Sequence, residues 1–208
     1  QNLRYCSMEQ VFQVPYTTIS EILTKFIGSL YETYSPWLFN NYRWYSRRAR
    51  YYRRCIMARH EANGYDEINQ ELLDVIGFLD GTRLHISRTT DQPVGNEDVT
   101  WSGKIKAHCM NVLDITFPDA MRCISRCYPG SMHDANIFSI DQMRVGVNAN
   151  FGADGIHEFN ALLYADSAFA FEQHVTPAHK RQPGQQHLDE ELEDENTMMA
   201  QCRVAVEW

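Results

Sequence analysis

Residues 75–86 read VIGFLDGTRLHI, and the fold turns on how they are taken. VIGFL is a continuous apolar run, as expected for a central strand covered on both faces. It delivers Asp80 at its end, followed at once by Gly81 and Thr82. ALLYA at 161–165 delivers Asp166 in the same way. A carboxylate beside a buried strand is costly unless it is ion-paired, hydrogen-bonded or bound to a metal. In α/β sheets ligands gather at the carboxyl ends of strands, where both aspartates fall. The plainer account is that DGT and DSA are turns, and for either aspartate alone that account is sufficient.

Between these two strands, HCMNVLDIT (108–116) and MRCISRCY (121–128) read as a hairpin around Phe117, Pro118, Asp119 and Ala120, after a polar loop over 87–107. In YPGSMHDANIF (128–138) a helix is expected to start near Ser131, with Ser131 as N-cap and Asp134 closing a capping box. A Gly/Asn-rich loop over 146–155 follows. The acidic run DEELEDE (189–195) is expected to be a solvated segment or to open a last helix holding MMAQCRVAVEW (198–208). The resulting order, β-β-β-α-β-α, is that of an RNase H-like core, in which acids stand on strand one, strand four and the final helix. Here those are Asp80, Asp166 and Glu207.

Upstream, 7–34 reads as a short helix, a turn through Val14–Thr17 and a longer amphipathic helix with Ile19, Ile22, Leu23, Phe26, Ile27 and Leu30 in register, a pattern compatible with a helix-turn-helix. YRWYSRRARYYRR (42–54) follows, with six arginines and five aromatics. Arginine pairs with phosphate and aromatics stack on bases, so Arg43, Arg47, Arg48, Arg50, Arg53 and Arg54 are candidate DNA contacts. The competing account is a solvated basic face with its aromatics in the core. Two domains are expected: a helical region over 1–70 and an α/β nuclease-like region over 71–208.

The net charge of −8 is unevenly spread: 1–60 carry 9 Lys/Arg against 3 Asp/Glu, and 61–208 carry 10 against 24. One part is suited to hold a polyanion, the other to work with carboxylates. No apolar run approaches the ~18 residues of a membrane span, and no signal-peptide pattern opens the sequence; a soluble intracellular protein is expected. The six cysteines are expected to be reduced. Cys123 and Cys127, four apart on one strand, would lie ~13 Å from each other, too far for a disulfide or a shared zinc.

GFLDGT (77–82), WSGKIKAH (101–108), PGSMHDANIF (129–138), LLYADSAF (162–169) and RVAVEW (203–208), in this order, resemble the DDE-type endonuclease of PIF/Harbinger transposases and their domesticated relatives. The resemblance spans about 70–208. It implies a divalent-metal site of Asp80, Asp134, Asp166 and Glu207, with Asp80, Asp166 and Glu207 catalytic, and it implies DNA contacts that include Lys104 and Lys106. By the bare sequence Asp134 is a helix cap held ionised by the helix dipole. The resemblance also implies a nuclear protein acting with a Myb-like DNA-binding partner. Ala165 stands where the family has glycine and Phe169 where it has tyrosine. The chain stops one residue after Glu207, so a fragment of a longer protein or a truncated relic is expected.

Carboxylates without matching His or Cys partners suit hard, oxygen-loving ions, so Mg²⁺ or Mn²⁺ is expected. Two such ions would serve the hydrolysis or transfer of DNA phosphodiester bonds, with His85 and His133 as candidate helpers. The alternative function is a catalytically inactive DNA-binding or protein-interaction module.

Overall fold

The computed structural model describes residues 5–39, 41–64, 72–86, 97–152 and 159–207. By contacts the chain divides into two units, 1–40 and 41–208. The first holds α1 (Tyr5–Phe12) and α2 (Tyr16–Phe39), joined by a turn in which Gln13 takes a left-handed φ of 52°. Of the apolar stripe read from α2, Ile19 is buried, whereas Ile22, Phe26, Ile27 and Leu30 are exposed.

The second unit begins with α3 (Tyr42–Arg47) and α4 (Ala49–Ala62). Position 70, where the sequence suggested a boundary, lies outside the described residues. β1 (Val75–His85) is the centre of the sheet. It runs antiparallel to β3 (Ala107–Thr116), with Phe78 opposite Thr116 and Asp80 opposite Asp114. On its other side it runs parallel to β6 (Leu162–Ala165), which pairs in parallel with β7 (Val175–Pro177). The short strands β2 (Trp101–Ser102), β4 (Arg122–Ile124) and β5 (Tyr128–Pro129) all pair antiparallel with β3. The helices of this unit are completed by α5 (Glu97–Thr100), α6 (Asp134–Ile140), α7 (Gln142–Asn150) and α8 (Glu190–Glu207). Among the described residues, no helix is long and apolar enough to cross a membrane.

Two buried clusters hold this together. One joins Tyr42, Tyr45 and Tyr52 to Leu79, Leu113, Ile115 and Phe117 of the sheet and to Ile137, Phe138, Met143 and Val147 of α6 and α7. The other joins Ile56, Val75, Phe78 and Tyr164 to Met198, Met199 and Cys202 of α8. Phe117 lies in a stack of three rings, 4.5 Å from Tyr45 and 4.9 Å from Tyr52. The Tyr45 hydroxyl donates to the carbonyl of Arg122 at 2.9 Å, and that of Tyr52 to Asp119 Oδ2 at 3.0 Å. The aromatics of the Arg-rich stretch therefore largely fill the core, as the competing account had it.

Four local expectations are corrected. The strand expected over 121–128 breaks into β4 and β5, because Ser125 Oγ accepts the Leu113 N–H at 2.8 Å in place of a backbone carbonyl and donates to Arg126 O at 2.7 Å. The expectation that Cys123 and Cys127 share one extended strand fails with it, though both are free thiols. The loop expected over 146–155 is helical as far as Asn150, since Asp141 caps α7 by accepting the Met143 N–H at 2.7 Å. The loop expected over 87–107 contains α5 and β2 in its later part, and 87–96 lie outside the described residues. Finally, the helix after PGS starts at Asp134 with His133 as N-cap and no side-chain cap. Ser131 is drawn away from capping because its hydroxyl donates to Val99 O at 2.9 Å. The acidic run opens α8, where Glu190, Glu191 and Glu193 sit in the first turn and favour the positive end of the helix dipole.

Candidate active site

In the parallel pairing of β1 and β6, Leu79 stands opposite Ala165. Asp80 is the next residue of β1 and Asp166 the first beyond β6, so they follow directly from backbones paired at about 4.8 Å, the ordinary spacing of neighbouring strands. Asp80 is not in a turn: β1 continues through it to His85, still paired with β3. Asp166 does begin one, with Phe169 N–H donating to its carbonyl at 3.0 Å and Ser167 Oγ to its Oδ1 at 3.3 Å.

Asp80 is half exposed, and its Oδ1 accepts the Gly81 N–H at 2.8 Å. From α8, Arg203 brings Nη1 to 3.8 Å from its Oδ2. Glu207 is the last residue of that helix, one turn beyond Arg203, and its side chain lies outside what is described. Asp134 approaches from the other direction, packed against the backbone of Gly81. Burial raises its carboxyl above the usual carboxylate range, Asp80 adds to the rise, and Arg83 opposes it. Desolvation and the Asp80 charge thus act against the helix dipole, which favours the ionised form.

Asp114, which the sequence reading passed over, stands opposite Asp80 across the β1–β3 ladder. It is 3% exposed and ion-paired with Arg122, and its Oδ1 is buried without a hydrogen bond. Burial raises its carboxyl and Arg122 offsets this, while the charge of Asp80 pushes the same way as burial. The signal was there in VLDIT, an acid inside an apolar strand.

Asp134 and Asp166 line one cleft of about 440 Å³, whose wall also includes Arg83, Trp101, Lys104 and His133. His85 is exposed at the end of β1. Among the described residues, no three His, Cys, Asp or Glu side chains stand close enough together to hold a metal ion as placed. The sequence placed Asp80 at a strand end, whereas it lies inside β1, which runs on to His85; the donor type, carboxylate oxygen from Asp80, Asp134 and Asp166, is nonetheless what Mg²⁺ and Mn²⁺ take.

Residues 79–208 match the family described as DDE superfamily endonuclease. The chain belongs to that family. No curated protein matches it, and no solved structure does. For a DDE superfamily endonuclease the matched span is telling, since it begins one residue before Asp80 and includes Asp134, Asp166 and Glu207. The family acts on DNA as a transposase-like nuclease and generally uses divalent metals.

The arginines of the 42–54 stretch divide by what they touch. Arg48 is paired with Asp119 at 3.0 Å and lies over the Trp44 ring at 4.0 Å. Arg53 is paired with Asp74 at 3.4 Å and lies over Phe159 at 4.7 Å. Arg43, Arg47, Arg50 and Arg54 are exposed on α3 and α4. Lys104 and Lys106 are exposed in the turn between β2 and β3, Lys104 at the cleft.

Proposed function

We propose that this chain is a metal-dependent DNA endonuclease or transposase of the PIF/Harbinger type, hydrolysing or transferring phosphodiester bonds in the nucleus. The observation that carries the proposal is the parallel register that pairs Leu79 with Ala165, the residues just before Asp80 and Asp166, inside the matched span. The strand order β4-β3-β1-β6-β7, with the first three antiparallel and the last three parallel, supports an RNase H-like reading of the fold.

In this reading Asp80, Asp166 and Glu207 hold the ions, and Asp134 joins them from the start of α6. When bound, Mg²⁺ or Mn²⁺ supplies Lewis acidity at the scissile phosphate and at the attacking hydroxyl. The protein's part is positional. The Gly81 N–H fixes the Asp80 carboxylate, and Arg83 and Lys104 offer positive charge to the phosphates alongside. The exposed arginines of α3 and α4 extend the DNA contact, and the helix-turn-helix-like α1–α2 region is a DNA-binding element by itself.

A second reading, a DNA-binding or protein-interaction module without catalysis, is favoured by the placement of Arg203 against Asp80. A guanidinium there neutralises charge that a metal site needs. Nicking of supercoiled plasmid separates the two. The nuclease reading expects nicking that requires Mg²⁺ or Mn²⁺, stops with chelator, and is lost in Asp80→Ala and Asp166→Ala. Nicking that survives both substitutions, or DNA binding with no metal-dependent nicking, removes it.

A further inference from the structure

The cleft between the β2–β3 turn and the start of α6 combines four features. Its volume of about 440 Å³ is in the range of small-molecule sites and too small to admit a duplex. Trp101 stands on its wall, 43% exposed, in a T-shaped contact with His108 at 5.2 Å. Lys104 and Arg83 bring two cations to it, and Arg83 Nε is buried with no hydrogen-bond partner among the described residues. The α6 side is kept in place by Asn111, 2% exposed, which donates to Met132 O at 2.7 Å.

A large apolar residue exposed at a cleft is informative when polar groups converge beside it. A flat ring, two cations and a roomy polar mouth fit a flat base joined to a phosphate. Every base has a face that stacks on an indole, and the guanidinium and ammonium groups suit phosphate oxygens. Asp134 and Asp166 line the same cleft, so its occupant adjoins the acids.

We propose that this cleft receives a single unpaired nucleotide of the DNA, next to the phosphate to be cut, with its base on Trp101 and its phosphate between Arg83 and Lys104. The substrate is then DNA with a frayed, overhanging or locally opened position rather than a fully paired duplex. This rests on the nuclease reading for the identity of the ligand. Its test is binding, which does not require cutting.

The experiment uses the full chain carrying Asp80→Ala and two fluorescent duplexes of equal length, one fully paired and one ending in an unpaired 2-aminopurine. Anisotropy is expected to show the second bound about tenfold more tightly, the scale of one stacked base, and its 2-aminopurine fluorescence is expected to be quenched on binding. Trp101→Ala should abolish the preference and the quenching, and Trp101→Phe should keep most of both. Lys104→Ala should weaken binding of the duplex with the unpaired end more than that of the fully paired one. Equal affinity for the two duplexes, unquenched 2-aminopurine, or a preference that survives Trp101→Ala overturns the inference. Should Trp101→Ala not fold, quenching in the parent and retention by Trp101→Phe still decide. If the preference is absent while the chain without Asp80→Ala nicks plasmid with metal, the cleft assignment falls alone. If unpaired ends are preferred and no nicking occurs, the nuclease reading falls and the cleft remains a nucleotide site.

Discussion

The carboxyl carbon of Asp134 lies 2.5 Å from the point where a β-carbon on Gly81 would stand. A side chain there would force the Asp134 carboxyl to shift, so the glycine of DGT is what lets the acid from α6 press against β1. Gly81→Ala is expected to displace the Asp134 carboxylate and to cost about 1–3 kcal/mol, the usual toll of overpacking. In an Asp134→Ala background the same change should be nearly neutral, because the crowded atoms are gone. Thermal unfolding of the four chains measures this. Additive costs would show that the two positions do not compete for one space. Gly81→Ala should also reduce any metal-dependent nicking at least as far as Asp134→Ala does.

The arginines separate into two groups with different expected effects. Replacing Arg43, Arg47 and Arg54 with alanine should lower the salt dependence of duplex DNA binding, each lost phosphate contact removing about 0.9 from the slope of log K against log salt. Replacing Arg48 and Arg53 should leave the slope nearly unchanged while costing up to about 1 kcal/mol each in stability, since their partners are Asp119 and Asp74. Salt titrations of binding and urea unfolding read the two effects separately. A slope that falls equally in both sets would refute the division.

Phe117→Ala removes the ring on which both Tyr45 and Tyr52 stack. A loss of about 3–5 kcal/mol is expected, with Phe117→Leu costing less. Because the ring sits in the β3–β4 hairpin and both tyrosines sit in α3 and α4, the loss should appear as a lowered urea midpoint for the whole 41–208 unit. A selective loss of the helices, with the sheet still cooperative, would argue against one shared core.

His174 is fully buried between β6 and β7, with Nδ1 2.9 Å from the Ala161 carbonyl and Nε2 without a partner. Burial lowers its pKa, partly offset by the carbonyl. The unfolded chain therefore takes up this proton more readily than the folded one, and stability falls as pH drops below about 6.5, by up to about 1.4 kcal/mol per pH unit. His60, buried between α4 and α8, is shifted in the same direction. Melting temperature is expected to decline between about pH 6.5 and 5, less so in His174→Asn, whose amide keeps a donor for the carbonyl. An unchanged acid slope in that variant would remove His174 as the cause.

What the sequence revealed, and what it hid, follows from the range of the forces involved. β1 and β6 were legible because VIGFL and LLYA are unbroken apolar runs ending in acids, a local pattern. α7 was hidden because QMRVGVNAN looks like a loop. Its glycine is explained only by the structure, where a β-carbon on Gly146 would collide with the ring of Tyr42. The break between β4 and β5 was hidden because it depends on one serine hydroxyl meeting a backbone N–H from another strand. β7 was hidden because three residues carry no period. In the site, the acids that follow the apolar runs were legible one by one. The crowding of Asp134 on Gly81 and the cross-strand position of Asp114 were not, since both depend on strand pairing and helix placement that no local window contains.

The β1–β6 pairing has a consequence for the chain's earliest moments. Synthesis delivers β1, β3 and β4 first, and these can close as a local antiparallel meander carrying Asp80. Asp166 arrives only with β6, after α6 and α7, and takes its place only once β6 zips in parallel along β1. On the ribosome, therefore, a nascent chain carries one acid without the other until β6 docks on β1.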